Sequence, residues 1–148
     1  MLQTSIDNKI SDAKQRLLFL LNQNMIPYNA AIVFDIDDTL IPSTRNVSLK
    51  KVRDFYYFVK SLGGITTFII TGRPDYSVNA TFTKDELNRI GVNNYHTLFM
   101  RPRDQDMIQY KRSRRKIIHD SGFSIIMSIG DQISDVGDYG GYSVLLIE

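Results

Sequence analysis

The stretch of sequence that decides the fold is AIVFDIDDTL, at residues 31–40. It opens with four apolar residues, Ala31 to Phe34, and passes directly into a segment that holds three aspartates. A short apolar run of this kind is typical of a strand that is buried on both faces, as in a parallel sheet. Ligands of open parallel sheets gather beyond the carboxyl ends of the strands. The aspartates that follow Phe34 are therefore the first candidates for a functional site.

The remainder of the chain alternates between helical and strand-like patterns. Apolar runs predict further strands at 65–70, 96–100, 125–129 and 142–147. Amphipathic spacing predicts helices at roughly 5–23 and at 111–121, the latter with Ile117 and Ile118 facing inward. End signals predict two more helices, one from an N-cap at Ser48 to Gly63 and one from a Thr83-x-x-Glu86 capping box to Gly91. We therefore predict an α/β fold: one Rossmann-like domain over 1–148, with a five-stranded, mainly parallel sheet flanked by helices. The N-terminal helix within 1–27 is expected to pack on this core.

The composition of the 148-residue chain excludes several kinds of site. Cysteine is absent, which excludes disulfide frameworks, thiol catalysis and cysteine-based zinc sites. The only histidines, His96 and His119, match no metal-binding spacing. The net charge of +2 is too small to indicate a nucleic-acid or membrane partner by itself. No apolar stretch approaches the ~20 residues of a membrane-spanning helix, and Met1 to Lys9 lack the apolar run of a signal peptide. We expect a soluble, cytoplasmic protein.

Polar residues follow three of the predicted strands at the point where each strand ends. They are Asp35, Asp37 and Asp38 after the first strand, Thr71, Gly72 and Arg73 after the second, and Asp131 and Asp135 after the fourth. The carboxyl ends of parallel strands meet at one edge of a sheet, so we expect these groups to cluster. Clustered carboxylates repel one another, and a hard cation with oxygen ligands, Mg²⁺, offsets that repulsion. Mg²⁺ in an aspartate-rich pocket suggests phosphoryl transfer.

Four segments of the chain resemble, in order, the signature motifs of the haloacid dehalogenase (HAD) superfamily. They are VFDIDDTL at 33–40, IITGRP at 69–74, YKRS at 110–113 with Arg115-Lys116 shortly after it, and IGDQISD at 129–135. The GDQxSD form of the last motif, with LFMRP at 98–102 upstream, is most similar to the plant-type and bacterial acid phosphatase branch. The resemblance covers about residues 30–147.

The resemblance implies a Mg²⁺-dependent phosphatase that hydrolyses the phosphate monoester of a small substrate through a phospho-aspartate intermediate. Asp35 would be the nucleophile, and Asp37 would protonate the leaving alcohol and then deprotonate water. Residues two apart on an extended segment lie on the same side, so both carboxylates can reach one phosphate. The implied phosphate-binding residues are Thr71, Gly72 and Lys111. The implied metal-binding residues are Asp35, Asp37 through its backbone carbonyl, Asp131, and Asp135 through a metal-bound water or by orienting Lys111.

Little or no cap is expected over this site. Cap segments select substrates in the superfamily, but the first cap position, residues 41–47, is only a short loop. Between Thr71 and Lys111 the chain has room for one short helix and one strand. We therefore expect an open site, with Thr39 positioning the loop around Asp37. Candidates to line it are Tyr76, Phe82, Arg101 and Arg103, with packing or a place on the surface as the equal alternative.

Two alternatives remain open at this point. The basic segment KRSRRK, at 111–116, would suit a nucleotide or the end of a nucleic acid, although a solvated helix face explains it more simply. A non-catalytic storage or scaffold protein would fit a member that had lost its nucleophile, but Asp35 and Asp37 are both present. The apolar stripe from Ile6 to Leu21 is expected to cover the core, with a homodimer contact as the alternative. No membrane partner is expected.

Overall fold

The computed structural model describes residues 1–148, and strands alternate with helices along the whole chain. In chain order the elements are α1 (Leu2–Asn22), β1 (Ala30–Phe34), α2 (Lys50–Leu62), β2 (Thr66–Pro74), α3 (Ser77–Arg89), β3 (Thr97–Arg101), α4 (Met107–Asp120), β4 (Ser124–Gly130), a 3₁₀ turn (Ile133–Asp135) and β5 (Tyr142–Leu145). None of these helices combines the length and the apolar character needed to cross a membrane.

All five strands form one parallel sheet in the order β3-β2-β1-β4-β5. This confirms the predicted α/β fold class, and the sheet is parallel throughout rather than mainly so. Strand β1 lies at the centre, paired with β2 on one side and β4 on the other. The chain therefore leaves β1 in one direction across the sheet and later returns to its other side. Crevices at such a reversal are where parallel sheets bind ligands.

Helices cover both faces of the sheet, and the side chains of β1 alternate between the two cores. Ala30, Ile32 and Phe34 belong to the larger cluster, which they share with α1 and α2. Ala31 and Val33 belong to the smaller cluster, which includes Tyr110 and Ile118 of α4. The same alternation, continued one residue beyond the strand, directs Asp35 towards the face on which α4 lies. The apolar stripe of α1 packs into the larger cluster through Ile6, Ile10, Ala13 and Leu17.

Three local expectations are wrong. The Thr83-x-x-Glu86 segment does not start α3, because the helix begins at Ser77 and Thr83 is fully buried inside it. The N-cap of α2 is Leu49 rather than Ser48, although the Ser48 hydroxyl accepts a hydrogen bond from the Lys50 amide at 3.3 Å. Ile117 is 40% exposed, whereas Ile118 is buried as expected.

Helix α4 begins four residues earlier than the sequence pattern indicates. The Asp106 carboxylate accepts a hydrogen bond from the Gln109 amide at 3.0 Å and caps the helix. This interaction satisfies one of the amides that the first helical turn leaves without a partner. As a result Lys111 lies in the second turn of α4, inside the helix and buried, rather than at its first residue.

Candidate active site

Three carboxylates converge at the carboxyl ends of β1 and β4. The side chains of Asp35, Asp131 and Asp135 are all buried, and one oxygen of each lies within 4.8 Å of the other two. The Nζ atom of Lys111, from α4, lies 3.2 Å from Asp35 Oδ1 and also donates to Asp135 Oδ1. The structure thus brings together four of the residues that the sequence motifs single out, from two strand ends and one helix.

The glycine of the last motif allows Asp135 to approach the strand end. A Cβ atom at Gly130 would lie 2.2 Å from Asp135 Cβ, so no larger residue fits there without displacing the carboxylate. The second oxygen of Asp135 accepts from the Gln132 amide at 3.0 Å. Arg115 of α4, also buried, donates to three backbone carbonyls of this loop, those of Ser134, Val136 and Asp138 at 2.7, 3.2 and 3.0 Å. Helix α4 therefore supplies both a site residue and the anchor for the loop that faces it.

The electrostatics of the cluster favour an added cation. Burial raises the pKa of Asp35 well above its usual range, the charge of Asp135 raises it further, and Lys111 lowers it. Burial acts to lower the pKa of Lys111, but the charges of Asp35 and Asp135 outweigh burial and raise it. Asp131 adds a third buried carboxyl group to the cluster, and a bound cation favours the ionised form of closely spaced carboxyl groups. The all-oxygen donor set fits Mg²⁺, which prefers carboxylate ligands.

The Asp37 side chain is not part of this cluster and forms a bidentate ion pair. Arg73 Nη2 donates to Asp37 Oδ1 at 2.7 Å and Arg73 Nε donates to Asp37 Oδ2 at 3.0 Å. The third guanidinium nitrogen, Nη1, lies 3.2 Å from Thr83 Oγ1 and 2.8 Å from Glu86 Oε1. Arg73 belongs to the second motif, from which no role for it was predicted. Its position directly after Thr71 and Gly72 at a strand end was the signal that could have identified it.

The turn after Asp37 is held by a carboxylate to which the sequence assigned no chemistry. Asp38 is buried, has a φ of 57°, and accepts hydrogen bonds from the amides and hydroxyls of Ser43 and Thr44 and from the Arg45 amide. Burial acts to raise the pKa of Asp38, but these donors lower it to about 2. Thr39, the residue expected to position the Asp37 loop, is fully buried and its hydroxyl has no hydrogen-bond partner.

The loop at residues 43–45, which Asp38 holds, places a further cation at the site, Arg45, that the sequence did not reveal. Arg45 Nη2 lies 3.7 Å from Asp131 Oδ2, and the same guanidinium donates to the backbone carbonyl of Leu146. Asp131 also accepts a hydrogen bond from Gln132 Nε2 at 3.2 Å. These contacts hold the Asp131 carboxylate in the cluster.

An open cleft of about 490 Å³ lies above the cluster. Its lining residues are Asp35, Asp37, Asp38, Ser43, Thr44, Gly72, Arg73, Pro74, Met107, Lys111, Asp131 and Gln132. Met107 is its one apolar side chain apart from the proline ring, and its Cε would lie 2.6 Å from a Cβ at Gly72. The loop after β1 and helix α3 occupy the two cap positions of this structure.

Several of the residues proposed for the site from the sequence do not line the cleft. Thr71, which was expected to bind phosphate, is buried, and its hydroxyl accepts a hydrogen bond from the Arg73 amide at 3.1 Å. Arg101 donates to the backbone carbonyls of Gly72 and Gln105, and the Arg103 guanidinium donates to the Tyr76 hydroxyl. Phe82 lines a separate shallow depression on α3. These side chains support the walls of the cleft or lie outside it.

The basic segment of α4 does not form a free basic face. Lys111 and Arg115 are buried, Arg112 pairs with Asp138, Lys116 pairs with Asp120, and Arg114 lies over the rings of Tyr110 and Phe99. Each cation of the run already has a partner within the chain, so this observation does not favour a nucleic-acid partner.

The sequence of the chain matches a known protein family over most of its length. The model of the HAD superfamily, subfamily IIIB (acid phosphatase), matches residues 43–144. That range contains Thr71, Lys111, Asp131 and Asp135, and begins after Asp35 and Asp37. No curated protein sequence matches the chain.

Among solved structures, the fold is similar to that of a class C acid phosphatase from Bacillus anthracis with tungstate bound. The two chains share 15% sequence identity, with a TM-score of 0.68 over 91% of this chain. This chain spans 65% of the length of that relative. The family match covers most of the chain, and the parallel sheet with its acidic strand-end cluster agrees with it. The chain belongs to the HAD superfamily, subfamily IIIB, the acid phosphatase group.

Proposed function

We propose that the protein is a Mg²⁺-dependent phosphatase that hydrolyses phosphate monoesters through a phospho-aspartate formed on Asp35. The observation that carries the proposal is the position of Asp35. It is buried at the end of the central strand, faces Lys111 at 3.2 Å, and lies at the floor of an open cleft with Asp131 and Asp135. Family membership and the tungstate-bound class C relative support the same reaction class.

The first step is nucleophilic substitution at phosphorus. A bond forms between a carboxylate oxygen of Asp35 and phosphorus, while the bond from phosphorus to the ester oxygen breaks. The leaving oxygen takes a proton from Asp37, which lies on the same extended segment and lines the same cleft. Lys111 and Arg73 also line the cleft and are placed to bind the phosphoryl oxygens, whose charge they balance.

The second step regenerates the carboxylate. Asp37, now ionised, takes a proton from a water molecule, and the water oxygen forms a bond to phosphorus as the bond to Asp35 breaks. Asp35 and Asp131, with the backbone carbonyl of Asp37, are the residues that would hold Mg²⁺. When bound, the ion offsets the repulsion between the phosphate and the carboxylates. Asp135 orients Lys111, whose Nζ it contacts directly, and this contact favours the second of the two roles the resemblance implied for it.

Arg73 holds Asp37 at the cleft. Both oxygens of Asp37 accept hydrogen bonds from the Arg73 guanidinium, and both residues line the cleft.

The experiment that tests the proposal is hydrolysis of a nitrophenyl phosphate with Mg²⁺, alongside the same assay with EDTA. We expect turnover with Mg²⁺ and its loss with EDTA. Asp35→Asn is expected to abolish turnover, whereas the matched control Asp138→Asn, at an exposed aspartate on the far side of the 3₁₀ turn, is expected to retain it. A purified, folded wild type with no activity on any phosphate ester would instead support the storage or scaffold alternative.

A further inference from the structure

The Thr83-x-x-Glu86 segment of α3 has a use other than capping a helix. Both of its polar side chains contact the guanidinium of Arg73 at a single nitrogen, Nη1. The Thr83 hydroxyl lies 3.2 Å from Nη1 and is fully buried, and Glu86 Oε1 lies 2.8 Å from Nη1 with the Glu86 side chain 26% exposed. Helix α3 therefore reaches the active-site cleft only through Arg73, since neither Thr83 nor Glu86 lines the cleft itself.

The guanidinium connects this pair to Asp37 through a rigid plane. Arginine presents its N–H donors in a planar fork, so the position of one edge fixes the position of the other. Nη1 is held by α3, and the opposite edge, Nε and Nη2, holds the two oxygens of Asp37. The Arg73 side chain is only 15% exposed, which leaves little room for it to take another orientation. The place of Asp37 in the cleft thus depends on contacts made on α3.

Charge balance leads to the same conclusion. A largely buried guanidinium needs anionic partners, and Arg73 has two, Asp37 and Glu86. Burial acts to lower the pKa of Arg73, and the two carboxylates raise it. Without Glu86 the guanidinium would keep Asp37 as its single carboxylate partner. A phosphate bound in the cleft also attracts the Arg73 guanidinium. Without Glu86, the guanidinium would move towards that phosphate, and Asp37 would lose its position beside the ester oxygen.

We propose that Glu86, assisted by Thr83, is a positioning residue of the active site, which anchors Arg73 so that Asp37 is held where it can protonate the leaving group. This inference rests on the proposed phosphatase function. Its distinctive consequence is a dependence on the leaving group. An alkyl alcohol needs a proton as it departs, whereas a nitrophenolate leaves with little assistance. Loss of the anchor is therefore expected to affect alkyl phosphates more than nitrophenyl phosphate.

The test compares kcat/KM for nitrophenyl phosphate and for ethyl phosphate in four proteins. The wild type is compared with Glu86→Ala, with Glu86→Gln, and with the control Asp85→Asn, which removes a carboxylate from an exposed position one residue away. A displaced catalytic group typically costs up to ~100-fold, so we expect Glu86→Ala to lose ~10- to 100-fold on ethyl phosphate and less than about 3-fold on nitrophenyl phosphate. Glu86→Gln keeps a carbonyl oxygen near Nη1 and is expected to recover part of the loss. Asp85→Asn is expected to match the wild type on both esters.

A second readout does not depend on turnover. The Nε–H proton of Arg73, bonded to Asp37, is expected to give a slowly exchanging signal in a ¹⁵N–¹H NMR spectrum. That signal should persist in Asp85→Asn and Thr83→Val, and exchange faster in Glu86→Ala. Thr83→Val keeps the buried shape and removes only the weaker of the two contacts.

The outcomes separate the anchor from the proposed function. Equal losses on both esters would mean that Glu86 serves only the stability of the fold, and no loss on either would mean that it does not position Arg73. Both results overturn the inference while leaving the phosphatase proposal in place. A wild type that hydrolyses neither ester overturns the phosphatase proposal, and the inference with it. Selective loss on ethyl phosphate in Glu86→Ala, with partial recovery in Glu86→Gln, supports it.

Discussion

Replacing Asp38 with asparagine is expected to destabilise the fold by an amount that depends on pH. Asparagine keeps the size of the side chain and tolerates the positive φ of 57° at this position. It removes the charge and turns one acceptor oxygen into an amide that meets the hydroxyl donors of Ser43 and Thr44. The effect therefore isolates the interaction of a buried carboxylate with the loop at 43–45.

The magnitude follows from the pKa. The donors hold the pKa of Asp38 at about 2 in the folded protein, against 3.8 in the absence of these contacts. Each unit of difference corresponds to ~1.4 kcal/mol, so the carboxylate stabilises the folded state by about 2 kcal/mol at neutral pH. For a domain of this size that corresponds to a fall in Tm of about 4–8 °C in Asp38→Asn.

The pH dependence has a definite direction. Because the folded-state pKa is lowered, this stabilisation is present above the unfolded-state pKa of 3.8 and is lost as the pH falls towards 2. The assay is urea unfolding of the wild type and Asp38→Asn at pH 7, 4 and 3. We expect a difference of about 2 kcal/mol at pH 7 that narrows at pH 3. The control is Thr39→Val, which removes a buried hydroxyl without a partner and should cost little or no stability. An Asp38→Asn variant as stable as the wild type at pH 7, or a difference that does not change with pH, would refute the reasoning.

Three further predictions concern the cluster itself. Lys111→Met is expected to lower kcat/KM by ~100-fold or more, because it removes the ammonium group that faces Asp35 and the phosphate. Steady-state kinetics on the folded variant measures this loss. Asp131→Asn is expected to weaken Mg²⁺ binding by at least ~10-fold in calorimetric titration, whereas an unchanged affinity would remove Asp131 from the metal site. Gly130→Ala is expected to cost ~1–3 kcal/mol in urea unfolding and to reduce activity, because its Cβ would overlap Asp135, and a variant as stable as the wild type would contradict the tight approach.

The features that the sequence predicted are those set by strand periodicity. A run of four apolar residues before Asp35 indicates a buried strand, and its end predicts a functional site at Asp35. The structure adds that alternation along the strand directs Asp35 towards the helix that carries Lys111. The same reasoning places Asp131 at the end of the neighbouring strand β4. These positions follow from local patterns and from the rule that parallel strands end at one edge, so no knowledge of side-chain contacts was needed.

The features that the sequence did not predict depend on contacts between distant residues. Thr83-x-x-Glu86 has the local pattern of a capping box, and nothing local shows that both side chains are instead partners of Arg73. Arg45 reaches Asp131 across 86 residues of chain, which no local pattern indicates.

One local assignment failed because two residue types compete for one task. Thr39 and Asp38 are both able to hold the turn after Asp37. The carboxylate prevails because its two oxygens accept several hydrogen bonds at once, whereas the hydroxyl of Thr39 is enclosed without a partner. A separate reason explains why the early start of α4 was not predicted: its first two residues, Met107 and Ile108, are exposed, so the helix does not begin with a residue that faces the core.

The most direct test of the central claim is identification of the residue that carries phosphate during turnover. Asp37→Asn removes the base for the second step and is expected to accumulate the phospho-enzyme formed in the first step with nitrophenyl phosphate. Acid quenching followed by mass spectrometry of the digested protein is expected to place a hydroxylamine-sensitive phosphoryl group on the peptide that contains Asp35, and to find none in Asp35→Asn. A phosphoryl group on any other residue, or turnover by Asp35→Asn at a rate within tenfold of the wild type, would contradict the account.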